Sequence, residues 1–188
     1  IYREAYDMFA CTGILFNHES PIRGLEFVTR KITNAVAQIK LGLIKDVSVG
    51  NIKSKRDWGY APEYMEAIYL MMQEDKPKNY VISTNETHSV EEMAKIAFEV
   101  VNLDWKKHVK IDKKFFRPLD VNYLKGDNSK AKKDLGWKPK TKFRDLIKLM
   151  VNEDLKRWQM ILDGKVFPWD APLYPNEMTI LQQFYQKK

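Results

Sequence analysis

The chain has 188 residues, of which 44% are hydrophobic and 30% charged, and it carries a formal net charge of +7. That length can bury a real core, as one domain or as a domain with a fragment of another, and the composition is that of a soluble globular protein. No uninterrupted apolar run approaches the ~18 residues that a membrane span needs, and a single cysteine, Cys11, excludes an internal disulfide and fits a reducing cytoplasm.

Cys11 lies between Phe9-Ala10 and Thr12-Gly13, the setting of a packed thiol rather than a nucleophile. The positive charge invites a nucleic-acid reading. Yet the lysines are scattered among acids, and the densest clusters, Lys106-Lys107 with Lys110, Lys113-Lys114, and Lys130 with Lys132-Lys133, lie in polar segments. A basic balance equally suits a small polyanion such as a nucleotide diphosphate. Charge alone does not decide.

Residues 2–10 read as the end of a helix with no signal-peptide pattern, so the sequence is expected to begin inside a longer protein. Gly13 marks a turn into an apolar strand, Ile14-Leu15-Phe16, of the kind buried in parallel sheets. The strand empties into a polar loop, Asn17-His18-Glu19-Ser20-Pro21, and open α/β sheets place ligands at such carboxyl ends. Asn17, His18, Arg23 and Lys31, in or just past this loop, are the first candidates for a site.

A helix follows over about 25–41, with Val28, Ile32, Ala35, Val36 and Ile39 on one face and Gly42 at its end. Residues 46–50 alternate as a short strand, and 51–55 read as a polar turn. Pro62 suits the first position of a helix whose core face is Tyr64, Ala67, Ile68, Met71 and Met72. Residues 79–84 read as another buried strand. Ser89 and Glu92 form a capping box for a helix that turns Val90, Met93, Ala94, Ala97 and Val101 inward.

From 103 to 127 the pattern is irregular and basic, with one corner at Phe115-Phe116-Arg117-Pro118. Asp127 or Asn128 caps a short helix to Leu135, which Gly136 stops in the left-handed conformation. A last helix spans about 142–161. Beyond it lies a tail rich in Pro and aromatics, with helix signals again at 177–185.

Alternating strands and helices argue an α/β fold, but with fewer parallel strands than a doubly wound domain requires. Gly42 and Gly50, the nearest pair of the eight glycines, stand too far apart for a GxGxxG turn. None of the nine tyrosines has a lysine four residues later, so the Tyr-x-x-x-Lys pair that lowers a phenol pKa for base catalysis is missing. Three histidines without cysteine neighbours or His-x-x-x-His spacing argue against a metal site. On its own residues the chain reads as a binding part without a catalytic part.

Several motifs carry a resemblance. Asn17-His18-Glu19-Ser20-Pro21, Phe27-Val28-Thr29-Arg30-Lys31, Gly50-Asn51, Lys55-Arg56-Asp57-Trp58-Gly59, Phe116-Arg117-Pro118 and Leu135-Gly136-Trp137-Lys138-Pro139 resemble the GDP-mannose 4,6-dehydratase family of extended short-chain dehydrogenase/reductases. The match runs from residue 1 to about 160; the Leu-Gly-Trp-Lys-Pro and Arg-Pro elements are shared across the superfamily, whereas the first loop, FVTRK and KRDWG are more specific.

The resemblance implies an α/β C-terminal part of such an enzyme: the last Rossmann strand or strands plus the smaller mixed α/β substrate-binding domain. Residues 1–24 would be a remnant of the NADP-binding domain, 25–162 mostly the GDP-sugar domain with segments returning to the Rossmann sheet, and 163–188 a tail outside the match. Leu15, Asn17, His18 and Arg23 match NADP-contacting positions, His18 near the nicotinamide and Arg23 at a phosphate. Asn17, Val28, Lys31, Arg56, Arg117 and Asp120 match contacts to the GDP-sugar, with Asp120 where the family usually has glutamate and Ile22 at a variable position that is often arginine. Two guanidinium groups suit a diphosphate through charge-assisted, bidentate bonds.

The implied reaction turns GDP-mannose into GDP-4-keto-6-deoxymannose and water. NADP⁺ takes a hydride from C4 and returns it to C6, while a tyrosinate removes the hydroxyl proton and a glutamate assists elimination. The catalytic Thr, Glu, Tyr and Lys are expected upstream of residue 1, so the chain alone is expected to be inactive, with assembly as dimer or tetramer a property of the full-length enzyme. A GDP-manno-heptose dehydratase and a non-catalytic basic nucleotide- or nucleic-acid-binding module stand as alternatives, as does a purely structural fragment. Without the resemblance, His18 is an ordinary loop histidine, Arg56 a local ion-pair partner of Asp57, Lys31 a solvated helix lysine and Arg117 a loop brace. Trp58, Trp137 and Phe115-Phe116 read as packing residues, and His88 and His108 as structural or surface ones.

Overall fold

A computed structural model describes residues 1–116 and 119–165, together with 179, 183 and 186. In chain order the elements are α1 (Tyr2–Tyr6), β1 (Thr12–Leu15), β2 (Asn17–Glu19), α2 (Val28–Lys40), β3 (Val47–Val49), β4 (Lys55–Arg56), β5 (Trp58–Tyr60), α3 (Ala61–Met72), β6 (Asn79–Ile82), β7 (His88–Ser89), α4 (Val90–Val100), β8 (Val109–Ile111), α5 (Ser129–Leu135) and α6 (Phe143–Leu162). Short 3₁₀ turns at Trp105–Lys107 and Lys113–Phe115 flank β8. The expected helix at 177–185 and the corner residues Arg117 and Pro118 lie outside the described residues, apart from 179 and 183. The rest divides into two compact units, each assembled from separated stretches of chain.

The first unit comprises Ile1–Ser20, Lys53–Ser89 and Asp120–Leu146. Its strands pair β1 with β6 and β2 with β5, both parallel, and β4 with β7 antiparallel. Tyr64, Ala67 and Met71 of α3 pack with Tyr80 and Ile82 of β6, Ala131 of α5 and Trp137. This i, i+3, i+7 stripe is the expected helix face, although Met72 turns out to solvent. Trp58 and Trp137 are buried as expected; the Trp58 ring stacks on Phe143 and the Trp137 Nε1 donates to the Glu63 carbonyl at 2.9 Å. Gly136 ends α5 at φ 66°, the left-handed stop that a Cβ would strain.

Two expectations fail here. Gly13 lies inside β1 opposite Tyr80 rather than at a turn before it. The segment Asn17-His18-Glu19 is a strand, not a loop: its residues face Trp58, Gly59 and Tyr60 in parallel register. Strand pairing is made by backbone groups, so polar side chains do not prevent it once a partner edge is present.

The second unit holds residues 21–52, 90–116, 119 and the described chain from 147 on. β3 and β8 pair in parallel, Val47 opposite Val109. Strand β8 lies in a stretch whose sequence pattern is irregular. The helix expected from residue 25 starts at Val28, because Phe27 is extended at its N-cap. Of its expected apolar face, Ile32, Ala35, Val36 and Ile39 are buried and Val28 is half-buried, but much of its polar face is buried too: Thr29, Arg30, Thr33, Asn34 and Gln38. Those polar groups find partners on α6. Trp158 Nε1 donates to Asn34 Oδ1 at 2.7 Å, and Asp154 accepts from Arg30 Nε at 2.7 Å, Thr33 Oγ1 at 2.7 Å and Arg157 Nη1 at 2.6 Å. Burial pushes the Asp154 carboxyl up, opposed by the two guanidinium groups and the Thr33 hydroxyl.

Candidate functional site

In the first unit the candidate residues cluster where β1 ends and β2 begins. Leu15 closes β1 opposite Ile82, and Phe16 N donates to the Ile82 carbonyl at 2.9 Å, which carries the pairing one residue further. Asn17 then faces Trp58, and His18 faces Gly59. The His18 Nδ1 lies 2.9 Å from the Phe16 carbonyl oxygen. A carbonyl only accepts, so Nδ1 carries the proton, and a neutral imidazole then presents Nε2 as an acceptor. Tyr64 stacks on the same ring, with centroids 5.2 Å apart and planes 28° from parallel. His18 is therefore fixed within a strand rather than carried on a loose loop.

Arg56 and Asp120, 64 positions apart in sequence, meet directly: Arg56 Nη2 donates to Asp120 Oδ1 at 2.7 Å. Arg56 Nη1 donates to the carbonyls of Lys55 and Val121, so the guanidinium is held on one edge and keeps its Nε for other acceptors. An Arg56–Asp57 ion pair is not formed. Asp57 is fully buried and accepts instead from Thr84 N at 2.8 Å, Thr84 Oγ1 at 2.6 Å, Asn85 N at 3.1 Å and Gly126 N at 3.1 Å. It works as an anchor for the chain after β6 and before α5. Sequence reasoning missed that role, although Asp57 stood within the quoted KRDWG motif.

In the second unit Val28 opens α2 and Lys31 sits one turn on, so both lie on one side of the helix. The Arg23 guanidinium lies 3.5 Å from the Phe27 ring centroid, and the Arg23 carbonyl accepts from Arg30 Nη1 at 3.0 Å. Lys31 is not simply solvated: its ammonium lies 3.6 Å from the Phe115 ring centroid. Partial burial lowers the Lys31 pKa, with the Asp112 carboxylate opposing. Phe115 and Phe116, expected as packing residues, are 50% and 47% exposed. The Phe115 backbone runs against Gly50, where an added Cβ would stand 2.4 Å from the Phe115 carbonyl oxygen. Close passage at Gly50 thus sets out the ring that Lys31 covers. Arg117 lies outside the described residues.

The site chemistry is that of binding: guanidinium, ammonium, imidazole and carboxylate groups held by neighbours. Among the described residues no group of His, Cys, Asp or Glu is arranged to hold a metal, and no helix is long and apolar enough to cross a membrane. Many lysines outside the site pair with acids, Lys78 with Glu74, Lys110 with Asp46, Lys140 with Glu66 and Lys142 with Glu86.

The family model described as GDP-mannose 4,6 dehydratase matches residues 1–150. GDP-mannose 4,6 dehydratase 1 of Arabidopsis thaliana is 56% identical over 166 residues, 87% of this chain and 46% of that protein. The Homo sapiens GDP-mannose 4,6 dehydratase is 45% identical over 172 residues, 82% of this chain and 46% of that protein. The chain spans about half the length of the curated relatives it matches. Among solved structures, RMD from Pseudomonas aeruginosa complexed with NADPH is similar at TM-score 0.76 and 16% identity, over 83% of this chain and 52% of that one. A dTDP-glucose 4,6-dehydratase from Bacillus anthracis in complex with NAD follows at TM-score 0.71 and 17% identity, over 84% and 48%. At those identities the structures speak for the fold alone: an α/β fold shared with nucleotide-sugar dehydratases and epimerases over about half their length. With its family model matched over 1–150, well over half of the chain, this protein belongs to the GDP-mannose 4,6-dehydratase family of extended short-chain dehydrogenase/reductases.

Proposed function

We propose that this chain is the GDP-sugar-binding part of a GDP-mannose 4,6-dehydratase, an enzyme that turns GDP-mannose into GDP-4-keto-6-deoxymannose and water. The observation that carries this reading is the Arg56–Asp120 pair, which holds a guanidinium on one edge and leaves its Nε donor to a diphosphate. In this reading Asp120 accepts from ribose hydroxyls, and Asn17, Val28, Lys31 and Arg117 complete the contacts to the GDP-sugar. Residues 1–24 belong to the NADP domain and 25–162 mostly to the sugar-nucleotide domain. The parallel pairing of β6 with β1 supports the return of later segments to the NADP sheet.

Leu15, Asn17, His18 and Arg23 are the residues that would hold NADP. The fit rests on two features: an imidazole of fixed tautomer at the end of parallel strands, and a guanidinium braced on an aromatic ring. When bound, NADP supplies hydride transfer. The whole enzyme works in the cytoplasm as a dimer or tetramer in this reading. The chain itself has neither a Tyr-x-x-x-Lys pair nor a glycine-rich phosphate turn, so in this reading it has no turnover of its own.

Calorimetric titration with GDP, ADP and UDP tests the proposal. Preferential binding of GDP is the expected result, and equal or absent binding of all three would overturn it. A dehydratase assay on the chain with NADP⁺ and GDP-mannose is expected to give no product; turnover above background would sink the binding-only claim.

A further inference from the structure

Behind His18 lies an arrangement that neither the family match nor the sugar-nucleotide contacts explain. His18 and Gly59 are directly opposed in the parallel β2–β5 register, and Gly59 has no side chain to place between the strands and α3. The Tyr64 ring takes that space: a Cβ at position 59 would stand 2.3 Å from Tyr64 Cε2 and 2.7 Å from its hydroxyl oxygen. Tyr64 is fully buried, stacks on His18 with centroids 5.2 Å apart, and meets Trp137 edge-on at 5.9 Å and 87°. Its hydroxyl has no hydrogen-bond partner among the described residues. The ring, then, is what the fold uses. Offset stacking fixes the plane of the imidazole, and in that plane Nδ1–H reaches the Phe16 carbonyl at 2.9 Å.

We propose that Tyr64, seated in the space Gly59 leaves open, is a positioning residue that holds His18 in its Nδ1–H tautomer, so that His18 meets its ligand through Nε2 as the acceptor for an N–H or O–H group rather than as a cation for a phosphate. This rests on the reading above only in naming the ligand a nicotinamide dinucleotide, whose carboxamide and ribose hydroxyls are donors of that class. Tyr64 is buried and uncharged, so it orients the imidazole without adding a charge that a ligand would feel. The assignment separates His18 from Arg23, whose fixed charge suits a phosphate.

The test is long-range ¹H–¹⁵N spectroscopy of the histidine-labelled chain at about pH 8.5, where imidazole is ordinarily neutral. There are three histidines, and His18→Gln assigns the signal of interest, while His88 and His108 serve as internal controls of folding. His18 is expected to show a protonated Nδ1 and a bare Nε2 in the unaltered chain and in Tyr64→Phe. Tyr64→Leu is expected to shift it to a mixture of tautomers with the other two histidines unmoved. A dominant Nε2–H form in the unaltered chain overturns the proposal without any variant. So does a Tyr64→Leu chain that keeps the Nδ1–H form. If Tyr64→Leu disturbs all three histidines, Tyr64→Met, which fills the same space without a ring plane, is judged by the same criterion. Added NADP⁺ is expected to move the His18 Nε2 signal without protonating it, and a doubly protonated bound His18 overturns the acceptor role. If NADP⁺ moves none of the three, the dinucleotide reading fails, while the tautomer result still decides the role of Tyr64.

Discussion

Arg56 Nη2 donates to Asp120 Oδ1 at 2.7 Å, with both side chains only about one-fifth exposed. The pair fixes the guanidinium before any ligand arrives, and two backbone carbonyls on Nη1 remove its remaining freedom. An arginine so held loses little entropy when it takes a diphosphate oxygen on its open edge. Arg56→Lys keeps the charge but not the fork. GDP affinity is expected to fall about tenfold, or ~1.4 kcal/mol. Calorimetry on both proteins measures this, and affinities within twofold of each other would remove Arg56 from the diphosphate contact.

Asp57 offers a sharper stability test. Its two carboxylate oxygens accept four hydrogen bonds, three of them from the backbone N–H groups of Thr84, Asn85 and Gly126. Asn in its place would turn an NH₂ toward one of those donor pairs. Asp57→Asn is expected to cost on the order of 3 kcal/mol, since buried donors lose a charged acceptor. Urea unfolding should show a lower midpoint with an unchanged slope. A midpoint equal to that of the unaltered chain would show that the carboxylate is not needed as an anchor.

Local pattern made much of this fold legible. The helix stripes of α3 and α4, the left-handed stop at Gly136 and the burial of Trp58 and Trp137 all follow from spacing and residue type. What pattern does not carry is a partner far along the chain. Asn17–Glu19 reads as a loop because its residues are polar, and only the Trp58–Tyr60 edge makes it a strand. Arg56 and Asp57 look like partners because they are neighbours, yet successive residues of extended chain point to opposite faces. Arg56 accordingly finds Asp120, and Asp57 finds backbone donors. Phe115 looks like core by its chemistry; the ammonium of Lys31 instead covers a half-exposed ring. Of the site, the resemblance supplied the residue names, and the structure supplied the pairings.

The Asp154 cluster tests how a buried charge is tolerated in α2 and α6. Arg30, Asp154 and Arg157 are all buried, and Asp154 is the carboxylate between the two guanidinium groups. Asp154→Ala removes the buried carboxylate that accepts from both guanidinium groups and is expected to destabilise by roughly 3–5 kcal/mol. Replacing all three with apolar residues of similar volume, Arg30→Met with Asp154→Leu and Arg157→Met, is expected to cost far less than the single change. Thermal unfolding of both variants decides this. If the triple variant is the less stable, the hydrogen bonds of Arg30 and Arg157 to the Arg23 and Pro21 carbonyls outweigh the charges.

Tyr64 gives the remaining prediction, which is independent of any ligand. Burial, and then the carboxylates of Asp57, Glu19 and Glu63, push its phenol far above the usual range. In the unfolded chain the phenol ionises near pH 10. Above that pH the folded state binds a proton that the unfolded state has released, so stability falls as pH rises, by up to ~1.4 kcal/mol per pH unit from this group. Tyr64→Phe removes that term and also removes a buried hydroxyl with no hydrogen-bond partner among the described residues. The variant is expected to be about 1 kcal/mol more stable at neutral pH, and the difference should widen between about pH 10 and pH 11. Urea midpoints of the two proteins at about pH 7, 9, 10 and 11 measure it. A constant difference across that range would mean that Tyr64 ionises as readily in the folded chain as in the unfolded one, against its burial between β5 and Trp137.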